Sequence, residues 1–124
     1  MTALPDPLPA RLSLRLRFGE VMIGPGKADL LEHIRETGSI AAAGRAMGMS
    51  YKRAWSLVEQ MNAAFRAPLV ARSRGGTRGG GAELTETGAR VLSHYRRLEA
   101  RAIEAGSGDI AALRDLLADM SEGK

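Results

Sequence analysis

The architecture of the chain turns on GSIAAAGRAMGMSYKRAWSLVEQMN, residues 38–62. Ser39 stands where its side-chain oxygen can accept from the first free amides of a helix, and Ile40 to Met47 follow as an alanine-rich helical run. Gly48 closes that run. Ser50 repeats the capping arrangement ahead of a second run, Tyr51 to about Phe65. A short helix, a glycine turn of about three residues and a longer helix form the layout of a helix-turn-helix. Ala41, Ala42, Ala43 and Ala46 are small enough for the first backbone to lie close to its partner. Taken alone, the same pattern also suits a plain hairpin of two helices in a bundle.

The flanks add to it. Upstream, LSLRLRF alternates, with Leu12, Leu14, Leu16 and Phe18 on one face and Ser13, Arg15 and Arg17 on the other, which predicts a half-buried strand. EVMIG reads as a second short strand or a turn, and GPG at Gly24 to Gly26 as a chain break. Lys27 to Glu36 reads as a helix with Leu30, Leu31 and Ile34 on one stripe. Gly38 follows where a left-handed cap carries no Cβ penalty. Downstream, Pro68 stops the long helix. Leu69 and Val70 look like strand, Gly75, Gly76, Gly79, Gly80 and Gly81 make a loop tip, and Ala82 to Leu84 return as the partner strand. Thr85 can cap a long helix of roughly 20 residues, about 30 Å. Its stripe is Val91, Leu92, Tyr95, Leu98, Ala102 and Ile103. GSG at 106–108 ends it, and a last helix, Asp109 to Met120, puts Ile110, Leu113, Leu117 and Met120 on one seam.

Together these elements predict a winged helix-turn-helix, mainly α with a small β component: an N-terminal strand, a β-hairpin wing and a long C-terminal helix. It spans residues 11–106, after an extended tail at 1–10 that holds three prolines and before a short helix and tail at 107–124.

Composition bounds the function. At 124 residues and 44% hydrophobic content, one core can form and wholesale disorder is not expected. The absence of cysteine removes disulfides, thiol catalysis and cysteine-bound zinc, and agrees with a reducing cytoplasm. No apolar run is long enough to span a membrane, and MTALPDPLPA lacks the basic start and apolar stretch of a signal peptide. Net charge is +4, and between Arg45 and Arg101 eleven basic residues face four acidic ones. A polyanion is the natural partner of such a segment, although an ordinary solvated surface accounts for the count equally well.

The winged fold sends its second motif helix into the DNA major groove, N-terminal residues first, with the wing on the backbone or in the adjacent minor groove. At about 100° per residue, Ala54, Val58, Met61 and Phe65 form the core stripe of that helix, and Lys52, Ser56, Glu59 and Ala63 lie opposite. Tyr51 leans toward the core. Trp55 lies at the boundary, where it either shields the core edge or stacks on a DNA sugar or thymine methyl. With double-stranded DNA as partner, Lys52, Arg53 and Ser56 are expected to contact bases or phosphates, with Tyr51 and Trp55 positioning them. Ser39 and Ser50 offer hydroxyls and helix-start amides to phosphates, or act only as caps. Arg72, Arg74 and Arg78 serve the wing and Arg45 the backbone. One wing and one helix read few base pairs, and an alternating strand needs a sheet partner. A homodimer through the N-terminal strand and the long helix 86–105 is therefore expected, its recognition helices about 34 Å apart.

The motifs GSI (38–40), SYK (50–52), AW (54–55) and MN (61–62), then GG (75–76), GGGA (79–82), LT (84–85) and Gly88, resemble the DNA-binding half of the molybdate-responsive ModE regulators. The likeness runs from roughly Leu12 to Gly106. LysR-type DNA-binding domains share the fold but look less similar over SYKRAW. The resemblance implies a homodimeric, sequence-specific transcriptional regulator linked to molybdenum metabolism. ModE-type regulators also carry a C-terminal pair of small β-domains that bind molybdate. The sequence ends at Lys124 without room for them, so the expectation is a DNA-binding member lacking that pair, with its signal arriving by another route.

A second reading, from another class, is a small protein-interaction module that joins a separate chain, for example a molybdate-binding one, through its last two helices. An enzyme is not expected. His33 and His94 each stand alone, and GGTRGGG lacks the Lys-Ser/Thr of a phosphate loop and does not open a helix. Asp109, Asp115 and Asp119 read as the wet face of the last helix, so neither a metal nor a cofactor is expected.

Overall fold

The computed structural model describes residues 10–73 and 81–118. A short hairpin, β1 (Leu16–Phe18) and β2 (Val21–Ile23), leads into α1 (Pro25–Thr37), α2 (Ile40–Ala46) and α3 (Tyr51–Ala64). A second antiparallel hairpin, β3 (Val70–Ser73) and β4 (Gly81–Leu84), pairs Val70 with Leu84 and Ser73 with Gly81. The long α4 (Glu86–Ala105) and the short α5 (Ser107–Asp115) complete the chain. This is a winged helix-turn-helix. Leu30, Leu31 and Ile34 of α1 form the centre of the core. Ala54, Val58 and Met61 of α3, Leu69 and Val70 of the wing, and Leu92 and Tyr95 of α4 close around them.

The starts of α2, α3 and α4 are written locally. Ser39 Oγ accepts from the Ala42 amide at 3.0 Å, Ser50 Oγ from the Arg53 amide at 3.1 Å, and Thr85 Oγ1 from the Gly88 amide at 3.0 Å. Caps of this kind contribute about 1 kcal/mol each. Gly38 and Gly48, the two glycines that end α1 and shape the motif's turn, both adopt φ 71°, where a side chain would be strained. Gly44 lies against Ala54, and a Cβ there would meet the Ala54 methyl at 3.0 Å, so the two motif helices pack at nearly backbone distance.

Four expectations need correction. The N-terminal strand is not the full LSLRLRF run: only Leu16–Phe18 forms strand, paired to Val21–Ile23 within the same chain. The ladder cannot extend toward Leu12, because the residues that would pair there, Gly24 and Pro25, are the cap and first turn of α1. The GPG segment thus starts a helix rather than merely breaking the chain, since proline suits the first helical position. The leader is held instead by α4: Tyr95 Oη donates to the Leu14 carbonyl at 2.6 Å. Burial, and then the Glu99 carboxylate, raise the phenol's pKa and keep it a donor. Phe18 is 64% exposed, so the alternating face is not all core. The last helix begins two residues early and ends at Asp115, and its expected seam does not pack, with Leu113 and Leu117 exposed. Met120 of that seam lies outside the described residues.

Candidate nucleic-acid interface

The wing is hung on α3 by one amide side chain. Asn62 Oδ1 accepts from the backbone N–H of Leu69 at 2.8 Å and of Val70 at 3.1 Å, while Nδ2 donates to the Val70 carbonyl at 3.1 Å. All three bonds fall where the chain leaves the helix region for β3, so Asn62 sets the spacing between α3 and the wing. A second tether joins the other strand to the motif: the Ala82 amide donates to the Gly38 carbonyl at 2.9 Å. Between α3, the start of α2 and the wing these ties hold open a cleft of about 580 Å³.

The structure brings Ser39, Tyr51, Trp55 and Arg72 to that cleft. Glu59 and Asn62 line it too. Lys52, Arg53 and Ser56 are exposed on the outer side of α3, beside Ser50, and Arg45 is exposed in the last turn of α2. Among the described residues, the side chains of Lys52 and Arg53 have neither an ion pair nor a hydrogen bond. Their charges sit in the first turn of a helix, and no acidic residue accompanies them there. Ser39 and Ser50 both act as caps. Each oxygen accepts one capping bond, and each hydroxyl hydrogen remains to donate to an outside group such as a phosphate. Arg74 and Arg78, together with the glycine tip at 75–80, lie outside the described residues.

Tyr51 departs from its expected place. It does not lean into the core but is 57% exposed, with its ring stacked on Trp55 at 6.4 Å between centroids and 18° between planes. Ala54 in the same turn is fully buried, whereas the Tyr51 side chain turns to the cleft and Trp55. Trp55 is the boundary residue expected: half-buried, it packs on the core with one side and lines the cleft with the other.

Two residues with clear roles were not singled out by sequence reasoning. Asn62 entered it only as part of a motif; an asparagine near the end of a helix, eight residues before a strand, was the available signal. Arg96 counted toward the basic excess, yet it is spent internally. Its guanidinium donates to Asp29 and Glu32 at 2.7 Å and to Glu99 at 3.1 Å, tying α4 to α1. Burial pulls its pKa down, but the hydrogen bonds to the three carboxylates outweigh this and raise it above the ordinary arginine value. The charge available to a polyanion is correspondingly more concentrated on α3 and the wing.

The Asn62 clamp carries a prediction. Asn62→Ala removes three hydrogen bonds and leaves two wing amides without their acceptor, at an expected cost of about 2 kcal/mol. Urea unfolding would read this as a lower midpoint at unchanged slope. A midpoint equal to that of the native protein would show that β3 holds its position without the clamp.

The family profile described as bacterial regulatory helix-turn-helix protein, lysR family, matches residues 27–89. The chain is similar to the molybdenum transport protein ModE of Azotobacter vinelandii, with 37% identity over 123 residues, covering 90% of this chain and 45% of the relative. It is similar to the DNA-binding transcriptional dual regulator ModE of Escherichia coli K12, 36% identical over 117 residues, again 90% of this chain and 45% of the relative. The molybdenum-pterin-binding protein MopA of Rhodobacter capsulatus is 43% identical over 94 residues, 76% of this chain and 35% of that protein. The chain thus spans less than half the length of these curated relatives. Among solved structures, the CbnR DBD–DNA complex superposes with a TM-score of 0.56 at 25% identity, covering 71% of this chain and 95% of the other.

Proposed function

Since the chain belongs to the lysR family of bacterial regulatory helix-turn-helix proteins, we propose that it is a sequence-specific DNA-binding transcriptional regulator linked to molybdenum metabolism. One observation carries the reading: Lys52 and Arg53 stand uncompensated in the first turn of a capped helix, next to a cleft closed by a wing that bears Arg72. The first turn of α3 enters the major groove, where Lys52, Arg53 and Ser56 meet base edges and phosphates. Arg72, Arg74 and Arg78 follow the backbone along the wing, and Ser39, Ser50 and Arg45 meet flanking phosphates. Residues 11–106 are the DNA-binding unit, and the protein works in the cytoplasm without catalysing a reaction. Similarity to ModE regulators supports the molybdenum link.

We further propose a homodimer through the β1 region and α4. Phe18, Leu98 and Ile103 are 64%, 36% and 48% exposed, and Phe18 and Leu98 flank an apolar groove of about 330 Å³ between the first hairpin and α4. Apolar surface of this kind supports a covering partner. Sedimentation at micromolar concentration is expected to give twice the chain mass; a monomer would remove the dimer from the reading.

Fluorescence anisotropy on random duplex tests the DNA assignment. Binding is expected to weaken steeply with salt, with a log–log slope near 0.9 for each phosphate neutralised. No binding even at low salt would overturn the assignment and favour a protein-interaction module.

A further inference from the structure

We infer that the Tyr51–Trp55 stack reads the 5-methyl group of a thymine, a specificity element resting on the DNA-binding function proposed above. Tyr51 is the first residue of α3, and its ring is 57% exposed on a surface otherwise made of Lys52, Arg53, Ser56, Glu59 and Gln60. The ring is not loose. It lies 6.4 Å from Trp55 at 18°, and Trp55 is fixed by packing on the core. The domain therefore holds a flat apolar ledge in water at the end of the helix that enters the groove, and pre-orders it at the cost of Tyr51 freedom.

The surroundings of the ledge select its ligand. Both rings line the cleft between α3 and the wing, with Arg72 on the opposite wall and Glu59 one turn beyond Trp55. Arg72 attracts a phosphate at the wing wall, whereas Glu59 repels one along α3. What lies against the rings must be the apolar part of the same strand. On the major-groove edges of the base pairs, the thymine methyl is the apolar group, and it projects beside its own backbone. A strand crossing the cleft with a phosphate toward Arg72 sets that methyl against the aromatic ledge. The deoxyribose is the competing apolar group, and it differs in one testable respect: it is the same in thymidine and deoxyuridine.

The test uses the full chain and a duplex enriched by it from a random library. Each thymine of that duplex is replaced singly by deoxyuridine, and affinities are measured for the native protein, Tyr51→Phe and Tyr51→Ala. Loss of one methyl is expected to weaken native binding about fourfold at one thymine per recognition helix, the size of one buried methyl. Tyr51→Phe should keep this discrimination, because the ring and not the hydroxyl makes it. Tyr51→Ala should bind thymine and uracil duplexes equally, while its circular dichroism matches the native protein because the side chain is exposed. Indifference to the methyl at every position overturns the inference and assigns the ledge to the sugar. So does discrimination that survives in Tyr51→Ala. In both cases enrichment of a sequence leaves the DNA-binding function standing, whereas a library that yields no enriched sequence overturns both.

Discussion

Replacing Gly88 by alanine is expected to destabilise the protein by about 3 kcal/mol and to lower Tm on the order of 10 °C. Gly88 lies in the first turn of α4, where its amide donates to the Thr85 cap. A Cβ at this position would overlap the Leu69 carbonyl oxygen outright and come within 2.9 Å of the Leu69 carbonyl carbon. That oxygen cannot retreat, because it already accepts from the Thr85 amide at 2.9 Å, while Thr85 Oγ1 donates to the Pro68 carbonyl. Nor is Leu69 itself free to shift: it is fully buried, and its own amide is held by Asn62. The clash is therefore between a Cβ fixed by its own backbone and a backbone carbonyl, which no rotamer change relieves. Alanine would gain about 1 kcal/mol of helix propensity over glycine, so the expected loss is net of that gain. Gly26→Ala is the control, since its Cβ would meet nothing within 4 Å. Thermal unfolding followed by circular dichroism should separate the two variants clearly. A Gly88→Ala protein melting within a degree or two of the native one would refute the close approach.

The double substitution Lys52→Ala with Arg53→Ala is expected to weaken binding to a cognate duplex by about 100-fold or more. It should also lower the salt slope by about two, one for each phosphate that the pair no longer neutralises. The fold should survive. Both side chains are exposed, and the Ser50 cap uses the backbone amide of Arg53, which alanine retains. Anisotropy titrations at several salt concentrations, with circular dichroism on the same samples, distinguish a weakened interface from an unfolded domain. Native-like affinity in the folded variant would move the contact surface away from the first turn of α3 and would leave the wing as the principal site. A slope reduced without loss of discrimination between sequences would assign the pair to phosphates alone.

The helix-turn-helix and the wing strands were legible because their signals are short-range. Capping of α2 by Ser39, of α3 by Ser50 and of α4 by Thr85 depends on residues three apart. The same holds for the glycine turn at Gly48 and for the core stripe of Ala54, Val58 and Met61. The candidate interface was legible more unevenly. Lys52, Arg53 and Ser56 fall on the outer face as the helical period requires, but the period says nothing about where a neighbouring element stops. Tyr51 was misplaced for that reason: its angle points toward the core side, yet at the start of α3 that side opens on the cleft and on Trp55. The first strand was overestimated on similar grounds. Alternation describes a strand's faces, and the number of ladder rungs is set by the partner, which here turns into α1 after Ile23.

The order of the elements, their caps and the chemistry of the exposed turn of α3 are therefore legible in the amino-acid order alone. These rest on interactions within a helical turn or between adjacent strands, whose free energies are set by residues a few positions apart. Which polar groups are already spent depends on the packed fold. Arg96 is bound to Asp29 across 67 positions, Tyr95 to the Leu14 carbonyl across 81, and Asn62 to a strand beyond the end of its own helix. A guanidinium, a phenol or an amide has the same composition whether it faces water, DNA or a buried carbonyl. What it does is fixed by which distant group the packed core carries to within 3 Å of it, roughly one hydrogen-bond length.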